Sequence, residues 1–211
     1  MNVSRGLFLV LALVLLFPAR QASACGGPIG IDCRIPYDNA GIWYRPAQIG
    51  VLNGMIAGEI IGGLWEGGET KLGKTFWQSI DASAANGVSM LLLKESFRRE
   101  RPIATDNPNL FFQGANGWSS SFPSSDVSAI ASMVSPFIFE YHDEHPSVYF
   151  LEALPAWDAV ARMKTWGHWP SDVLAGWAIG TAWAYWAYKR PTPLILGFFP
   201  DGVSVGLRYR W

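Results

Sequence analysis

The chain has 211 residues, half of them apolar, with 11 tryptophans and a formal net charge of -1 at pH 7. That length allows one domain with a substantial core. The composition excludes a disordered chain, and the near-zero charge argues against a nucleic-acid surface.

The N-terminus reads as an export signal. Arg5 supplies a positive start, Leu7–Phe17 is an unbroken apolar run of 11 residues, and Ala22-Ser23-Ala24 is a small-residue cleavage site. The run falls short of the about 20 residues that cross a bilayer. Residues 1–24 are therefore expected to be a signal peptide and the mature chain to be periplasmic or otherwise exported. Both cysteines lie just inside the mature start, in CGGPIGIDC. Cys25 and Cys33 suit a short-loop disulfide in an oxidising compartment. Lipid attachment at Cys25 is a rival reading, weakened by Ala22 where Leu is usual. Neither cysteine sits in a metal-site pattern.

Residues 25–46 carry Gly, Pro, Asn and Asp at short intervals and predict an irregular lead-in. From Pro46 the pattern turns helical, with Ile49, Leu52, Ile56, Ile60 and Leu64 at three- to four-residue spacing until Gly67-Gly68. Further helices are predicted over about 74–85 and 86–101, the second stopped by Pro102. The stretch Ile103–Ser121 must then be a long loop, a place where function often sits. A fourth helix is predicted from near Pro123 to 141, a fifth over about 148–163 and a sixth from near His168 to before Pro191. Residues 194–211 alternate loosely around Pro200-Asp201-Gly202 and read as an extended tail.

The expectation is one all-α domain over residues 25–193, a bundle of about six helices. The apolar stretches 47–64, 127–139 and 173–188 are each interrupted, short or weakly apolar for a span. Buried helices of a soluble bundle are expected, with membrane-surface association left open.

Three segments carry candidate chemistry. Lys94 and Arg101 are seven apart, two helical turns, so on one helix they and Arg98 would share a face, favoured by the dipole at its C-terminus. In Ser121-Phe-Pro-Ser-Ser-Asp126, Ser121 is a candidate N-cap and Pro123 suits a first turn. Ser124 and Ser125 would then present N–H groups and hydroxyls at the positive end of a helix, a ready anion site. In the third segment His168 and Asp172 are four apart. A carboxylate on one imidazole nitrogen fixes the tautomer and leaves the other free as a nucleophile. Arg162 precedes them by six residues. Alone, each segment also fits something ordinary: a solvated basic stripe, a serine-capped helix start, a structural His–Asp pair. His142 and His145 read as surface residues, and Trp118 and Trp169 as candidates to line a pocket.

In combination the segments resemble the type 2 phosphatidic acid phosphatase superfamily, which also holds the bacterial class A acid phosphatases and the vanadium haloperoxidases. Its signature is a Lys, six residues, then Arg-Pro; a Pro-Ser-Gly-His; and an Arg, five residues, His, three residues, Asp. Lys94 with Arg101-Pro102 meets the first part, and Arg162, His168 and Asp172 meet the last, with Ala161 in place of the usual Ser. Gly167–Gly176 looks most like the soluble acid phosphatase branch. The resemblance spans about residues 80–185 and implies an acid-phosphatase- or haloperoxidase-like helical bundle. It implies phosphate held by Lys94, Arg101, Ser124, Ser125 and Arg162. His168 would be the nucleophile and Asp172 its orienting carboxylate, with a phosphohistidine intermediate.

The sequence departs from the family at Pro123-Ser124-Ser125-Asp126, where Asp126 replaces the His that protonates the leaving alcohol. A carboxyl donates a proton only while neutral, and its reference pKa is about 3.9 against about 6.5 for imidazole. The expected activity is hydrolysis of a phosphomonoester or diphosphate. Candidate substrates are a phosphorylated small molecule, a phospholipid or a polyprenyl phosphate. No cofactor is expected, vanadate serving as an inhibitor or, in a haloperoxidase, as the cofactor. The main alternative is a catalytically silent phosphate- or phospholipid-binding member. Haloperoxidase and phosphotransferase readings rank lower, and no oligomeric state is implied.

Overall fold

A computed structural model of the chain describes residues 25–113, 117–191 and 193. The predicted signal peptide and the predicted tail from residue 194 lie outside the described residues. Among the described residues the fold is all-helical, as expected, but with five α-helices rather than six. They are α1 Arg45–Glu66, α2 Lys71–Phe97, α3 Ser125–Tyr141, α4 Ala153–Lys164 and α5 Pro170–Tyr188. Short 3-10 turns at Gly41–Trp43, Gly117–Ser119 and Pro146–Glu152 join them.

The missing helix is a fusion. The segments predicted over 74–85 and 86–101 form one helix, α2, running through Gly87. A mid-helix glycine costs only about 1 kcal/mol relative to alanine. Thr70 caps α2, its Oγ1 accepting from the Gly73 N–H at 2.9 Å. The helix ends at Phe97, because Arg98 adopts a left-handed conformation (φ 42°). Lys94 is therefore helical and Arg101 is not, and the expectation that the two share a helix face is wrong. The third and fifth helices also start two residues later than expected: Ser124, not Ser121, is the N-cap of α3, and Trp169 is that of α5.

The long α3 is the packing centre. Val127 and Ala131 meet Ala159 of α4 and Val173 and Trp177 of α5. Ile130, Val134 and Ile138 on another face of α3 meet Leu52 and Met55 of α1. At Gly176 and Gly180, α5 comes so close that a Cβ would collide with the carbonyl oxygens of Ser124 and Ser128 on α3. That approach brings the N-termini of α3 and α5 together, and the Ser124 N–H donates to the Asp172 carbonyl at 3.0 Å.

The outlier is α1. It was expected to be a buried helix, yet its apolar window is only 17% buried, and it is long and apolar enough to cross a membrane by length and composition. Glu59, the charge that interrupts this stretch, turns inward and accepts from the hydroxyls of Ser79 and Ser83 at 2.8 and 2.9 Å. Ile49, Ile56, Ile60, Ile61, Leu64 and Trp65 are left on the outside. A helix apolar on most of its circumference cannot hide every face when its neighbours, α2 and α3, lie on one side of it. Ahead of α1, a disulfide joins Cys25 to Cys33, and Gly26 and Asp32 exchange backbone hydrogen bonds inside that loop.

Candidate active site

Where α2 gives way to coil, two cations converge on one carbonyl. The fully buried Lys94 donates from Nζ to the Ser120 carbonyl at 2.7 Å. Arg101 reaches the same oxygen at 3.3 Å, and also donates to the carbonyls of Trp118, Ser119 and Gly167, each at 2.9 Å. Their convergence comes from the left-handed turn at Arg98 rather than from helical spacing. Burial pushes the Lys94 ammonium down to about 7, with the Arg101 charge adding to the effect. Burial likewise lowers Arg101.

A third cation, Arg162, ends α4 and is buried. Its guanidinium folds back over Gly167, where any Cβ would run into it. Burial pushes Arg162 down to about 10. Its Nε has no hydrogen-bond partner. The buried Ser124 hydroxyl is likewise unpartnered. Arg162 Nε faces the Asp126 carboxylate at 3.5 Å, outside hydrogen-bond range. Buried polar groups are normally satisfied, so the unpartnered Ser124 hydroxyl is open to a polar ligand.

His168 is 2% exposed, between α4 and the start of α5. Its Nδ1 lies 2.6 Å from the Ser121 carbonyl. A carbonyl only accepts, so the partner assigns the proton to Nδ1 and the lone pair to Nε2. Burial, then the charges of Arg101, Arg162 and Lys94, hold the imidazole well below its ordinary value, which favours the neutral ring. The direct His168–Asp172 hydrogen bond expected from their spacing is not made. The nearest Asp172 oxygen is 3.8 Å from Nδ1, beyond hydrogen-bond range.

Asp172 is fully buried and accepts from the Trp169 N–H at 2.8 Å, from the Ser121 hydroxyl and from Arg99 at 2.5 Å. Burial raises its carboxyl, and Arg99 opposes that. Ser121 is the joint, its carbonyl on the imidazole and its hydroxyl on the carboxylate.

Asp126 sits in the first turn of α3 and is paired. Its Oδ2 lies 2.6 Å from Arg45 Nη1 and 3.5 Å from Arg162 Nε. Of the two serines expected to offer N–H groups, Ser124 spends its own on Asp172. His142 ends α3 at the far end from Asp126, bonded to its own helix's carbonyls. Trp169 is buried with its Nε1 on the Glu100 carbonyl. Trp118 is exposed and lines a cavity of about 520 Å³ between α1, α2 and α3. That cavity runs along α3 from Asp126 to Met133 and is walled chiefly by Leu52, Ile56, Ile60 and Met90.

Four site residues escaped the sequence reading: Arg45, Arg99, Asp32 and Asp158. Asp158 stands one turn before Arg162 on α4, buried, its carboxyl pushed up to about 7 by burial and by the Asp126 charge. That spacing was a usable signal. Arg99 sat unremarked in the basic run, and nothing local marks Arg45 or Asp32.

No curated protein and no solved structure matches the chain. The family model described as the PAP2 superfamily matches residues 77–195, which takes in Lys94, Arg99, Arg101, Arg162, the His168–Asp172 pair and Asp126 but not Arg45 or Asp32. The chain belongs to the PAP2 superfamily.

Proposed function

We propose that this chain is a metal-independent phosphohydrolase acting outside the cytoplasm, and that it passes the phosphoryl group through His168. The family acts on phosphorylated substrates. The observation that carries the finer reading is a neutral imidazole whose Nδ1–H is tied to the Ser121 carbonyl, beside three buried cations. Lys94, Arg101 and Arg162 would take the phosphate oxygens, guanidinium forks matching them bidentately. The Ser124 hydroxyl and the N–H of Ser125 would complete the cradle.

In the first step the Nε2 lone pair forms a bond to phosphorus while the bond to the leaving oxygen breaks. Asp172 balances the positive charge that grows on the ring. Water then attacks the phosphohistidine, the P–N bond breaks, and phosphate leaves. Asp126 is engaged by two guanidinium groups, Arg45 and Arg162, and is not placed as a donor to the leaving oxygen in the first step. The leaving group must then depart without a donated proton, which favours a diphosphate or an aryl phosphate over a simple alkyl ester. The apolar cavity beginning at Asp126 supports a substrate whose non-phosphate part is greasy, such as a polyprenyl diphosphate.

One observation favours a second reading. Asp126 already places an anion against Arg162, as a silent binding member with a self-filled pocket would. The deciding experiment incubates the mature protein with polyprenyl diphosphate, phosphatidic acid and an aryl phosphate, quenches in alkali, and looks for phosphohistidine by mass spectrometry. Phosphate release together with a label on His168, both lost in His168→Ala, is expected. Substrate binding without release or label would establish the silent reading.

A further inference from the structure

The buried carboxylate behind His168 is not held by its own helix alone. Arg99 is fully buried and bridges two acids, with Nη1 2.5 Å from Asp172 Oδ1 and Nη2 2.5 Å from Asp32 Oδ2. Its remaining N–H groups go to the Pro108 carbonyl, at 3.1 and 2.6 Å, and to the Ser171 hydroxyl at 2.8 Å. Asp32 in turn accepts from the Ser171 N–H and hydroxyl at 2.8 and 2.7 Å. Asp32, Arg99 and Asp172 are all 0–1% exposed.

Charge makes the third member matter. Arg99 and Asp172 alone would be a neutral pair, with little field left for the imidazole. Asp32 shares the guanidinium and returns the cluster to a net charge of about −1, in an interior where charges interact strongly. Asp32 also comes from outside the part of the chain that the family match covers. It sits one residue before Cys33, in the loop closed by the disulfide to Cys25. A Cβ on Gly27 would collide with the Asp32 carboxylate, so the loop is wrapped tightly around that side chain.

Resting on the His168 reading above, we infer that Asp32 is a positioning residue for the reaction. Through Arg99 it sets the place and the effective charge of Asp172, and the Cys25–Cys33 loop is the clamp that keeps it there. The groups facing the His168–Asp172 pair are Lys94, Arg101, Arg162 and Arg99, all cationic when protonated, with Asp126 and Asp32 as the nearby acids. Weakening the acid side therefore makes an imidazolium harder to form.

The test is Asp32→Asn in the mature, oxidised protein, read three ways: kcat and KM on an aryl phosphate, thermal melting, and the His168 titration by NMR of isotope-labelled histidine, assigned through its loss in His168→Ala. We expect kcat to fall about 10-fold or more with KM little changed, as for other partners of a functional histidine. The His168 titration should move to lower pH in a protein that still melts cooperatively. Asp32→Glu, which keeps a carboxylate for Arg99, should retain more of both kcat and the parent titration than Asp32→Asn. A role in filling space alone predicts the reverse, since the isosteric Asn fits this buried position and the longer Glu does not. Dithiothreitol, or Cys25→Ser/Cys33→Ser, should reproduce the kcat loss in the parent and add little in Asp32→Asn, and supplies the same readouts if Asp32→Asn does not fold. The NMR readout needs no turnover, so it judges this inference even if the parent proves inactive. An unmoved His168 titration in folded Asp32→Asn, or in the disulfide-free protein, overturns it.

Discussion

Arg45, the first residue of α1, and Asp126, in the first turn of α3 and on the wall of the apolar cavity, form an ion pair at 2.6 Å. Asp126 holds the position at which the sequence resemblance leads one to expect a leaving-group acid. A histidine there would donate a proton. An aspartate bridged to Arg45 and Arg162 presents negative charge instead, while Arg45 brings a guanidinium to the same side of the site.

On the phosphohydrolase reading, Asp126→His should therefore change which substrates are used more than whether any is turned over. General acid catalysis is worth about 10²–10⁴-fold, so alkyl phosphate turnover should rise by at least the lower figure. Diphosphate turnover should change less than about tenfold, since its leaving group needs no proton. Rates across a series of esters graded by leaving-group acidity give the check. Wild type should show a steep dependence and the variant a flatter one, and parallel lines would mean that Asp126 has no part in the leaving-group step.

The closeness of α3 and α5 makes a separate claim on stability. Gly180 faces the Ser128 carbonyl and the Ala131 methyl with no room for a Cβ. Gly180→Ala should destabilise by about 1–3 kcal/mol, the usual cost of overpacking, despite alanine's better helix propensity. Because the same α3–α5 packing, one turn earlier at Gly176, sets Ser124 against Asp172, the variant should also lose activity at temperatures where it is still folded. A denaturant midpoint and an activity assay on one preparation separate the two effects.

Much of this was legible in the sequence, though not always for the right reason. The spacing of Lys94, Arg101, Arg162, His168 and Asp172 identified a family. Lys94 and Arg101 do not share a helical face, since the chain leaves the helix at Phe97 and a left-handed Arg98 turns Arg101 to the site. Periodicity found α1 but misjudged its surroundings, because a helix apolar on every side reads the same whether protein or another apolar phase covers it. Asp32 and Arg45 were invisible for a different cause. Their partners Arg99 and Asp126 lie 67 and 81 residues away, and no local pattern encodes a long-range ion pair.

The exposed side of α1 predicts an interaction that a soluble bundle would not show. Trp65 is 86% exposed and Ile61 62%, and aromatic and branched apolar residues on an amphiphilic surface partition into bilayers. Sedimentation with phospholipid vesicles should carry the mature protein down. Ile61→Lys with Trp65→Lys should leave melting unchanged and release it. Activity on a water-soluble aryl phosphate should be the same in both proteins, whereas activity on vesicle-borne lipid phosphate should drop in the variant. Equal sedimentation of the two would show that this face does not meet lipid.

Lys94 gives a pH signature with a definite sign. Burial lowers its ammonium to about 7, against about 10.4 in an unfolded chain. Between those values the unfolded chain holds a proton that the folded one lacks, so this group makes stability rise with pH across that window. Below about 7 both forms carry the proton and its contribution is flat, with the buried charge a standing cost. Lys94→Met should therefore stabilise the ligand-free protein most at acid pH and progressively less above about 7. Phosphate binding has the opposite slope. The charged ammonium is the form that attracts phosphate, so affinity should fall as pH rises through about 7 and by up to tenfold per further unit, a slope that Lys94→Met should remove. Calorimetric titration with sulfate, a tetrahedral dianion that does not itself titrate near neutrality, measures the slope on either side of about pH 7. A slope that survives in Lys94→Met would move the titrating group elsewhere in the pocket, with Asp158, whose carboxyl is also pushed to about 7, the next to be replaced.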